Sequence, residues 1–381
     1  MSLDNIYQKA YSLEFLTAAE GMILLTTAPL SELMGLAHLI RLKKAHNYVT
    51  WQIDRKINIT NICISGCKFC DSYSEPQSSM AYITTLEEYI EKVEELLKYG
   101  GEQLVLQSGL NPELGIEFYK SLFSELKDIF PRLKIHALGS PEIGFLAKME
   151  NLTYKQVLEQ LVESGLDSLP GHGGEILCER VRLDLSPTRL DSSEWWAVMA
   201  EAHALRIGTS ASIVFSQMES PHEQIEHLVK IRDLQSKKPL GAPGFEEFIP
   251  LVSGARLQTM PLAGQNLLQM PPEDYIRSVA ISRIMLSNIT NIQASYLSVG
   301  KEVAQACLHA GANDFGSIML DDNPNIAGVK RMDAYDIQKA IADAGFEPKL
   351  RNRKYELLEL PDCEFSRIMR FEELRTSPYN I

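Results

Sequence analysis

The chain lacks three features that would point to a membrane, to secretion or to nucleic acid. It contains no run of 18 or more apolar residues, so we expect no membrane-spanning helix. Its first sixteen residues include Asp4 and lack the basic segment and apolar stretch of a secretory signal. Lys and Arg total 37 against 50 Asp and Glu, and the net charge is −13. With no dense basic run, neither nucleic acid nor a membrane is an expected partner.

Cysteine is also scarce, with six in 381 residues. Such a number is too small for a disulfide scaffold, which argues for a reducing, cytoplasmic location. Three of the six nevertheless crowd into eight positions, at Cys63, Cys67 and Cys70. This spacing indicates a metal or redox site.

From residue 51 onward, short β-rich runs alternate with helix-sized segments, a pattern typical of parallel βαβ units. Eight such runs predict an α/β fold of the (β/α)8 barrel type, whose chemistry gathers on the loops after the strands. Polar and glycine-rich clusters follow the runs, among them CISGCKFC, QSGLNP, GSPEI, PGHGGE, SQMES and NDFG. The predicted strands are 56–64, 102–108, 133–139, 166–170, 209–216, 245–251, 291–298 and 312–316.

The chain divides into three predicted parts. Residues 1–50 read as amphipathic helices packed on the barrel, and residues 51–325 form the barrel itself. Residues 326–381 form a C-terminal extension, with a helix from about Arg331, a polar segment at 350–361 and a final helix.

The run Cys63-Ile64-Ser65-Gly66-Cys67-Lys68-Phe69-Cys70 follows the first barrel strand. Three thiolates on one tight loop can hold a cubic iron–sulfur cluster and leave one iron without a protein ligand. Zinc is the main alternative, although no histidine lies nearby in the sequence to complete the site. Three thiols without a metal are the remaining possibility.

The C-x3-C-x2-C spacing, with aromatic Phe69 before the third cysteine, resembles the motif of the radical S-adenosylmethionine (SAM) superfamily. The likeness continues through VTWQIDRKINITN, GEQLVLQSGLNPE, HALGSPEI, SGLDSLPGHGGEIL, NIQASYLSVGK and GANDFGSIM. Together these segments resemble the dehypoxanthine futalosine cyclase branch of menaquinone biosynthesis. Its relatives are aminofutalosine synthase and the subunits that build the deazaflavin of coenzyme F420.

The resemblance implies a TIM-type radical SAM barrel with two cofactors, a 4Fe-4S cluster on the three cysteines and SAM on its open iron. In this branch a 5′-deoxyadenosyl radical removes the ribose C4′ hydrogen of dehypoxanthine futalosine. The carbon radical then adds to the aromatic ring, and loss of an electron and a proton gives the cyclic product. The implied partners are a small-molecule substrate of this kind and an electron donor such as flavodoxin or ferredoxin.

The resemblance also assigns SAM-binding residues. Gln107, Ser108 and Gly109 stand where the family binds the SAM amino group, although a plain turn is the alternative. Tyr73 matches a tyrosine near the adenosine, or is a half-buried core residue. Glu175 matches a glutamate that faces SAM. Arg182 either binds the SAM carboxylate or forms a structural ion pair.

For the substrate end, the same resemblance suggests a pocket, and Asp314 and Glu219 are the candidate catalytic residues. An Asn-Asp turn at 313–314 is the structural alternative. The predicted substrate-binding residues are Ser74, His172, Gln217, Tyr296 and Asn313.

This pocket departs from the family pattern. An aromatic-Tyr-Arg run becomes 71–74, a Phe-Gly-His run becomes 215–217, and two tryptophans become Leu251 and Tyr296. A Glu-Glu-Asn segment becomes 321–323. The sequence therefore favours a divergent cyclase. A radical SAM paralogue with another substrate, including aminofutalosine-synthase-like or deazaflavin-forming chemistry, is the second hypothesis, and a non-catalytic metabolite-binding barrel is the third.

Overall fold

A computed structural model describes residues 2–68, 70, 74–186, 190–215, 218–253, 270–321, 325–326 and 329–359, with backbone alone at 325–326 and 329–330. None of the helices in these ranges is long and apolar enough to cross a membrane. The helices are α1 (Leu3–Tyr11), α2 (Ala18–Thr27), α3 (Leu30–Lys44), α4 (Leu86–Lys98), α5 (Ile116–Ile129), α6 (Ser140–Glu150), α7 (Tyr154–Glu163), α8 (Glu179–Leu185), α9 (Ser192–Ala204), α10 (Pro221–Lys237), α11 (Pro272–Met285), α12 (Tyr296–Val299), α13 (Lys301–Leu308) and α14 (Ala334–Asp343).

The strands are mostly short and parallel. They are β1 (Tyr48–Gln52), β2 (Asp54–Asn58), β3 (Gln103–Gln107), β4 (Lys134–Ala137), β5 (Ser168–Leu169), β6 (Gly208–Phe215), β7 (Phe245–Val252), β8 (Asn291–Ile292), β9 (Asp314–Ser317), β10 (Asn325–Ile326), β11 (Val329–Lys330) and β12 (Glu347–Leu350). The short pair β10–β11 is antiparallel.

Strands β2 to β8 form one parallel sheet in sequence order. Strand β9 takes the eighth place, since Asp314 bridges to Gln293 after β8 and Leu320 bridges to Arg55 in β2. The predicted α/β barrel architecture is confirmed, and each of the eight predicted strand segments overlaps one of the strands β2 to β9.

The barrel helices begin at strong local signals. In α4, the Thr85 hydroxyl accepts from the Glu88 N–H while the Glu88 carboxylate accepts from the Thr85 N–H, which caps two free donors. Ser220 and Glu223 repeat this capping box at α10. Each capped helix returns the chain to the amino end of the sheet, so that the next strand runs parallel. All the parallel strands therefore end at the same rim of the barrel.

Segments before and after the barrel meet at its amino end. Strand β1 pairs with β9 on one side and with β12 on the other, all in parallel. The sequence pattern did not predict β1 or β12, whereas the helix predicted from about Arg331 is confirmed as α14. Strand β1 crosses the predicted boundary at residue 50, and the three-part division stays a prediction. The predicted final helix lies outside the described residues.

Candidate active site

The three cysteines lie on the loop that follows β2. Gly66 in this loop has φ +59°, a left-handed conformation that glycine adopts without strain. The loop folds back on itself, because the Cys63 N–H donates to the Ser74 carbonyl at 3.2 Å and the Ser74 N–H donates to the Asn61 carbonyl at 2.9 Å. The predicted substrate residue Ser74 is thus a buried backbone partner of the cysteine loop.

The loop after β3 locks against the cysteine loop at Gly109. A Cβ atom at this position would lie 2.0 Å from the Ile62 carbonyl oxygen, so only glycine permits the approach. The Gly109 N–H donates to the Thr60 carbonyl at 3.1 Å. Next to it, the Leu110 N–H donates to Cys63 Sγ at 3.3 Å. The glycine therefore brings a backbone donor to a cysteine sulfur.

Further donors reach the sulfurs from within the loop. The Ser65 N–H donates to Cys63 Sγ at 3.4 Å, and the Ser65 hydroxyl lies 3.1 Å from Cys67 Sγ. Hydrogen bonds of this kind tune a cluster that the sulfurs bind.

All three cysteines line one cavity at the carboxyl rim of β2 to β5. Within the described ranges, no three His, Cys, Asp or Glu side chains form a closed metal-ligand set. The thiols share the cavity wall without converging on one point. The remaining lining residues are Asn58, Thr60, Asn61, Ser65, Gln107, Ser108, Gly109, Leu110, Pro141, Glu142, His172 and Glu175.

The donor chemistry of this wall fits an iron–sulfur cluster. Three cysteines supply soft ligands, the Cys63 sulfur accepts two backbone hydrogen bonds, and a fourth ligand position would remain open to the cavity. Among the described lining residues His172 is the one histidine, and its Nε2 lies 3.1 Å from the Glu142 carboxylate.

Glu175 lies in the cavity wall on the loop after β5. Its carboxylate accepts from the Gly173 N–H at 3.0 Å, and its carbonyl accepts from the Val214 N–H in β6 at 2.8 Å. Arg182, predicted beside it, is buried and donates to the Gly173 carbonyl at 2.6 Å and to the Leu190 carbonyl. Arg182 therefore supports the loop that carries Glu175, and a direct role at SAM stays a prediction.

Gln107 and Ser108 lie in the wall at the end of β3. The Gln107 carbonyl accepts from the Ile59 N–H at 2.7 Å, which extends the β2–β3 pairing to the cavity. The Ser108 hydroxyl lies 3.0 Å from the Tyr119 hydroxyl and 2.9 Å from the Gly109 carbonyl. Burial raises the pKa of Tyr119 well above its ordinary value, so this phenol remains a neutral partner for Ser108.

Half-buried His172 and buried Glu142 form a pair in the same wall. His172 Nε2 lies 3.1 Å from both carboxylate oxygens of Glu142, which also accepts from the Gly139 N–H at 3.0 Å. Gly139 is needed here, because a Cβ atom would lie 2.3 Å from the imidazole ring. His172 Nδ1 is buried and finds no hydrogen-bond partner in the part of the chain that the structure describes.

Asp314, predicted as a catalytic residue, lies elsewhere. Its fully buried carboxylate accepts from Arg351 Nε at 2.5 Å and Nη2 at 3.1 Å, and from the Thr50 hydroxyl at 2.6 Å. The Gly316 N–H also donates to it at 2.9 Å. Asp314 is not among the described residues of the cavity wall, and the structure gives it a role in the ion pair.

Asn313 and Tyr296 are likewise absent from the described cavity wall. The Asn313 amide accepts from Arg283 Nη2 at 2.8 Å and donates to the Asn291 side chain at 2.9 Å. The buried Tyr296 ring stacks on Phe315, with the ring centroids 5.8 Å apart. Substrate contact by either residue stays a prediction.

The other predicted site residues can be placed only in part. Glu219 is buried just before α10 and, like Ser74, is not among the described residues of the cavity wall. Tyr73 and Gln217 lie outside the described residues. The structure therefore brings together eight of the predicted site residues, namely Cys63, Cys67, Cys70, Gln107, Ser108, Gly109, His172 and Glu175.

Sequence reasoning missed Glu142 as a site residue. It is the third residue of α6, in the segment GSPEI directly after β4, where an acidic side chain normally caps a helix. Burial of this carboxylate beside a histidine from the next strand's loop depends on tertiary structure. The missed polar residues are Asn58, the last residue of β2, and Thr60 and Asn61 just after it. Their position at the end of a strand was the one feature of the sequence that pointed to the site.

Two family models match the chain. The radical SAM superfamily model matches residues 57–231, which contain the end of β2, the three cysteines and strands β3 to β6. A model described as the CofH/MqnC C-terminal region matches residues 242–364.

Individual proteins are similar over nearly the whole chain. Cyclic dehypoxanthine futalosine synthase of Streptomyces coelicolor is 34% identical, covering 94% of this chain and 90% of its own. A 5-amino-6-(D-ribitylamino)uracil–L-tyrosine 4-hydroxyphenyl transferase of Methanosarcina barkeri is 32% identical, covering 92% and 93%. The crystal structure of methylornithine synthase matches the fold with a TM-score of 0.67 at 18% identity, covering 90% and 97%.

Proposed function

Because this chain belongs to the CofH/MqnC branch of the radical SAM superfamily, we propose that it cyclises dehypoxanthine futalosine. It is a radical SAM enzyme, and enzymes of this superfamily use a 4Fe-4S cluster and SAM. The specific reaction is our proposal. Its main support is the similarity to cyclic dehypoxanthine futalosine synthases over 94% of the chain.

The chain's own residues have distinct proposed tasks. Cys63, Cys67 and Cys70 hold the cluster, which with SAM supplies the radical that removes the substrate hydrogen. Gln107, Ser108 and Gly109 bind the amino end of SAM with backbone and hydroxyl groups. Glu175, fixed by the Gly173 N–H, faces SAM from the opposite loop. The close packing at Gly109 and Gly139 leaves the cavity walls rigid, which favours exact placement of the reacting groups.

Transfer of a 4-hydroxyphenyl group from tyrosine is a second candidate reaction. Archaeal enzymes named for that transfer are 30–34% identical to this chain, close to the 32–34% of the cyclic dehypoxanthine futalosine synthases. Leu251 and Tyr296 differ from the tryptophans of the cyclase pattern. Both lie in the region that the CofH/MqnC C-terminal model matches. The segments NIQAS and GANDFGS favour the cyclase.

A small one-electron carrier such as flavodoxin or ferredoxin is the proposed reductant. We propose a cytoplasmic location, because three thiolates that hold a cluster must stay reduced.

An anaerobic assay with two substrates tests the proposal. The protein, reconstituted with iron and sulfide, is incubated with SAM, dithionite and dehypoxanthine futalosine, and the products are analysed by mass spectrometry. The cyclase predicts substrate-dependent 5′-deoxyadenosine and a product two hydrogens lighter than the substrate. A parallel reaction contains 5-amino-6-(D-ribitylamino)uracil and tyrosine. Product in this second reaction alone would replace the cyclase with the transferase.

A further inference from the structure

Strand β2 carries a lysine on the face that points into the barrel. Asn58, the last residue of β2, lines the cavity of the three cysteines. Side chains two residues apart on a strand share a face, so Lys56 points inward about 7 Å below Asn58. Arg55 points the other way, since it pairs with Glu95 of the outer helix α4. Lys56 is therefore an inward-facing residue directly beneath the cavity wall.

The interior of the barrel beside Lys56 is open. In an ordinary (β/α)8 barrel, inward side chains from neighbouring strands fill the interior in layers. Here inward side chains of three other strands keep exposed surface, namely Val105 in β3, Val214 in β6 and Ile249 in β7. The neighbouring Phe215 and Phe248 point outward and contact the helices α11 and α10. The space that these strands enclose, here called the lumen, can therefore hold a ligand.

The Lys56 ammonium can reach this lumen. Lys56 is half-buried, and its Nζ keeps exposed surface, unlike the buried Nε of Arg41. Within the described part of the chain, no hydrogen bond or ion pair holds this Nζ. Lysine inside a protein is normally paired, because an unpaired charge loses part of its hydration without compensation. An anion in the lumen would supply the partner.

The carboxylates inside the barrel already have other partners. At the amino end, Asp54 accepts hydrogen bonds from two polar side chains. Glu247 pairs with an arginine 3.1 Å away. In the cavity wall above Lys56, the two carboxylates are held by the His172 ring and by the Gly173 N–H. The positive charge of Lys56 is therefore available to a ligand.

The surroundings of Lys56 suit a carboxylate attached to an apolar or aromatic group. One ammonium supplies a single positive charge and three donors, which match the single charge and the oxygens of a carboxylate. Val105, its partner in β3, and Ile249 supply apolar wall for the rest of the ligand. Asn58 lies between Lys56 and the cysteine loop. A ligand held by Lys56 at one end would thus extend into the cavity where the cluster and SAM are proposed to bind.

We propose that Lys56 binds a carboxylate of the substrate and thereby selects substrates that carry one. This inference rests on the proposed function, because it concerns the substrate of that reaction. It gives Lys56 a task in binding and orientation, distinct from holding the cluster and SAM.

Lys56→Met removes the charge and nearly keeps the length of the side chain. We expect KM for dehypoxanthine futalosine to rise about 10- to 100-fold, because a charged hydrogen bond to the substrate is lost. A contact made equally before and during the reaction leaves kcat within about twofold. Lys56→Arg keeps the charge and should stay within about fivefold of the wild-type KM. In both variants the iron content and the 5′-deoxyadenosine formed without substrate should match the wild type, which shows that the fold and the cluster are intact.

A binding measurement tests the site without turnover. Benzoate and benzamide are matched probes, since one is an aromatic carboxylate and the other its neutral amide, and inorganic phosphate is a third probe. Reconstituted enzyme with SAM and without dithionite is titrated with each, and binding is followed by NMR of the probe. The wild type should bind benzoate at least about tenfold more tightly than benzamide or phosphate. Lys56→Met should bind benzoate no better than benzamide.

Lys98→Met is the matched control. Lys98 is an exposed lysine in the last turn of α4, on the outside of the barrel. Its replacement removes the same charge from the chain without changing the lumen. KM and benzoate binding should therefore stay at the wild-type values.

The outcomes separate the carboxylate site from the proposed function. If the wild type forms product from neither dehypoxanthine futalosine nor the transferase substrates, but benzoate binding depends on Lys56, the proposed function fails and the site stands. If the wild type is active and Lys56→Met keeps the wild-type KM and benzoate affinity, only the site is wrong. Tighter binding of phosphate than of benzoate would overturn the carboxylate assignment. A fall in kcat with an unchanged KM would place Lys56 at the chemical step and would also overturn it.

Discussion

The two ends of the barrel bury polar groups in different ways. At the amino end, Arg351 from the segment after β12 meets Asp314 at 2.5 Å, and each carboxylate oxygen of Asp314 has a donor. At the carboxyl end, the cavity wall contains three thiols, together with His172, whose Nδ1 has no hydrogen-bond partner among the described residues. A buried ion pair such as Arg351–Asp314 supports the structure, whereas thiols that line a cavity are groups that a ligand can reach.

The charged cluster at the amino end also fixes the protonation of its members. Burial alone would lower the pKa of the Arg351 guanidinium. The neighbouring Asp314 carboxylate raises this pKa by more than burial lowers it, so the pKa lies above its ordinary value. Burial raises the pKa of Glu247, yet the Arg353 and Arg351 guanidinium groups outweigh it and hold that pKa below its ordinary value. Arg351 and Glu247 are therefore charged in the folded state, and each of these buried charges depends on its ion-pair partners.

Cys67→Ala should have the largest effect, confined to the carboxyl end. Loss of one of three cluster ligands should abolish iron binding and SAM cleavage, a fall in 5′-deoxyadenosine formation of roughly 1000-fold or more. Iron binding is measured by counting iron and sulfide in the protein. SAM cleavage is measured by the assay with SAM and dithionite. Cys178→Ala is the control, because this cysteine lies outside the cavity wall and donates to Glu223. Retained SAM cleavage in Cys67→Ala would exclude the cluster assignment.

At the amino end, Arg351→Met should lower the stability of the fold. It leaves Asp314 buried without its partner, and we expect the free energy of unfolding to fall by about 3–5 kcal/mol. Urea denaturation measures this change. Lys349→Met is the control, since Lys349 pairs with exposed Glu347 and should cost less than about 1 kcal/mol.

The double variant Asp314→Asn/Arg351→Met separates a structural ion pair from a catalytic Asp314. Removal of both charges should recover at least half of the lost stability. The folded fraction should still form product. A stable double variant that cleaves SAM but forms no product would restore Asp314 as a catalytic residue.

Much of the carboxyl end could be predicted from the sequence, because its signals are local. The spacing of Cys63, Cys67 and Cys70 and the motif Gln107-Ser108-Gly109 are each contiguous or nearly so, and the structure places both in one wall. Eight strands followed by polar loops predicted the barrel, since parallel strands put those loops on one rim.

The amino end could not be predicted in the same way. Asp314 and Arg351 are 37 residues apart, and the strand β12 that brings them together is only four residues long. From the sequence alone, an aspartate at the end of a strand is interpreted as a candidate base, because its ion-pair partner is not yet known.

One contact at the carboxyl end was missed for the same reason. His172 and Glu142 are 30 residues apart in the sequence, so only the histidine was predicted to belong to the site.

Asp54→Asn should change how stability depends on pH. Burial raises the pKa of Asp54 to about 6, against a value of about 4 in the unfolded chain. The folded state therefore binds this proton more tightly, so the stabilisation is complete below about pH 4 and is lost as the pH rises through 6. Relative to the variant, the wild type should lose about 2–3 kcal/mol between pH 4 and pH 7.5. Parallel curves from urea denaturation across this range would show that Asp54 does not titrate in this way.

Glu175→Gln, a change in the cavity wall at the carboxyl end, should have the smallest effect. The amide oxygen can still accept from the Gly173 N–H, so the loop after β5 keeps its conformation. The lost charge should weaken SAM turnover about tenfold while four irons per chain are retained, because Glu175 is proposed to face SAM and not the cluster. The comparison is Glu179→Gln, an exposed residue of α8 that accepts from the Ser192 N–H at 2.8 Å and should leave turnover unchanged. A drop in iron content in Glu175→Gln would mean that this carboxylate supports the cysteine loop, and the division between cluster residues and SAM residues would have to be redrawn.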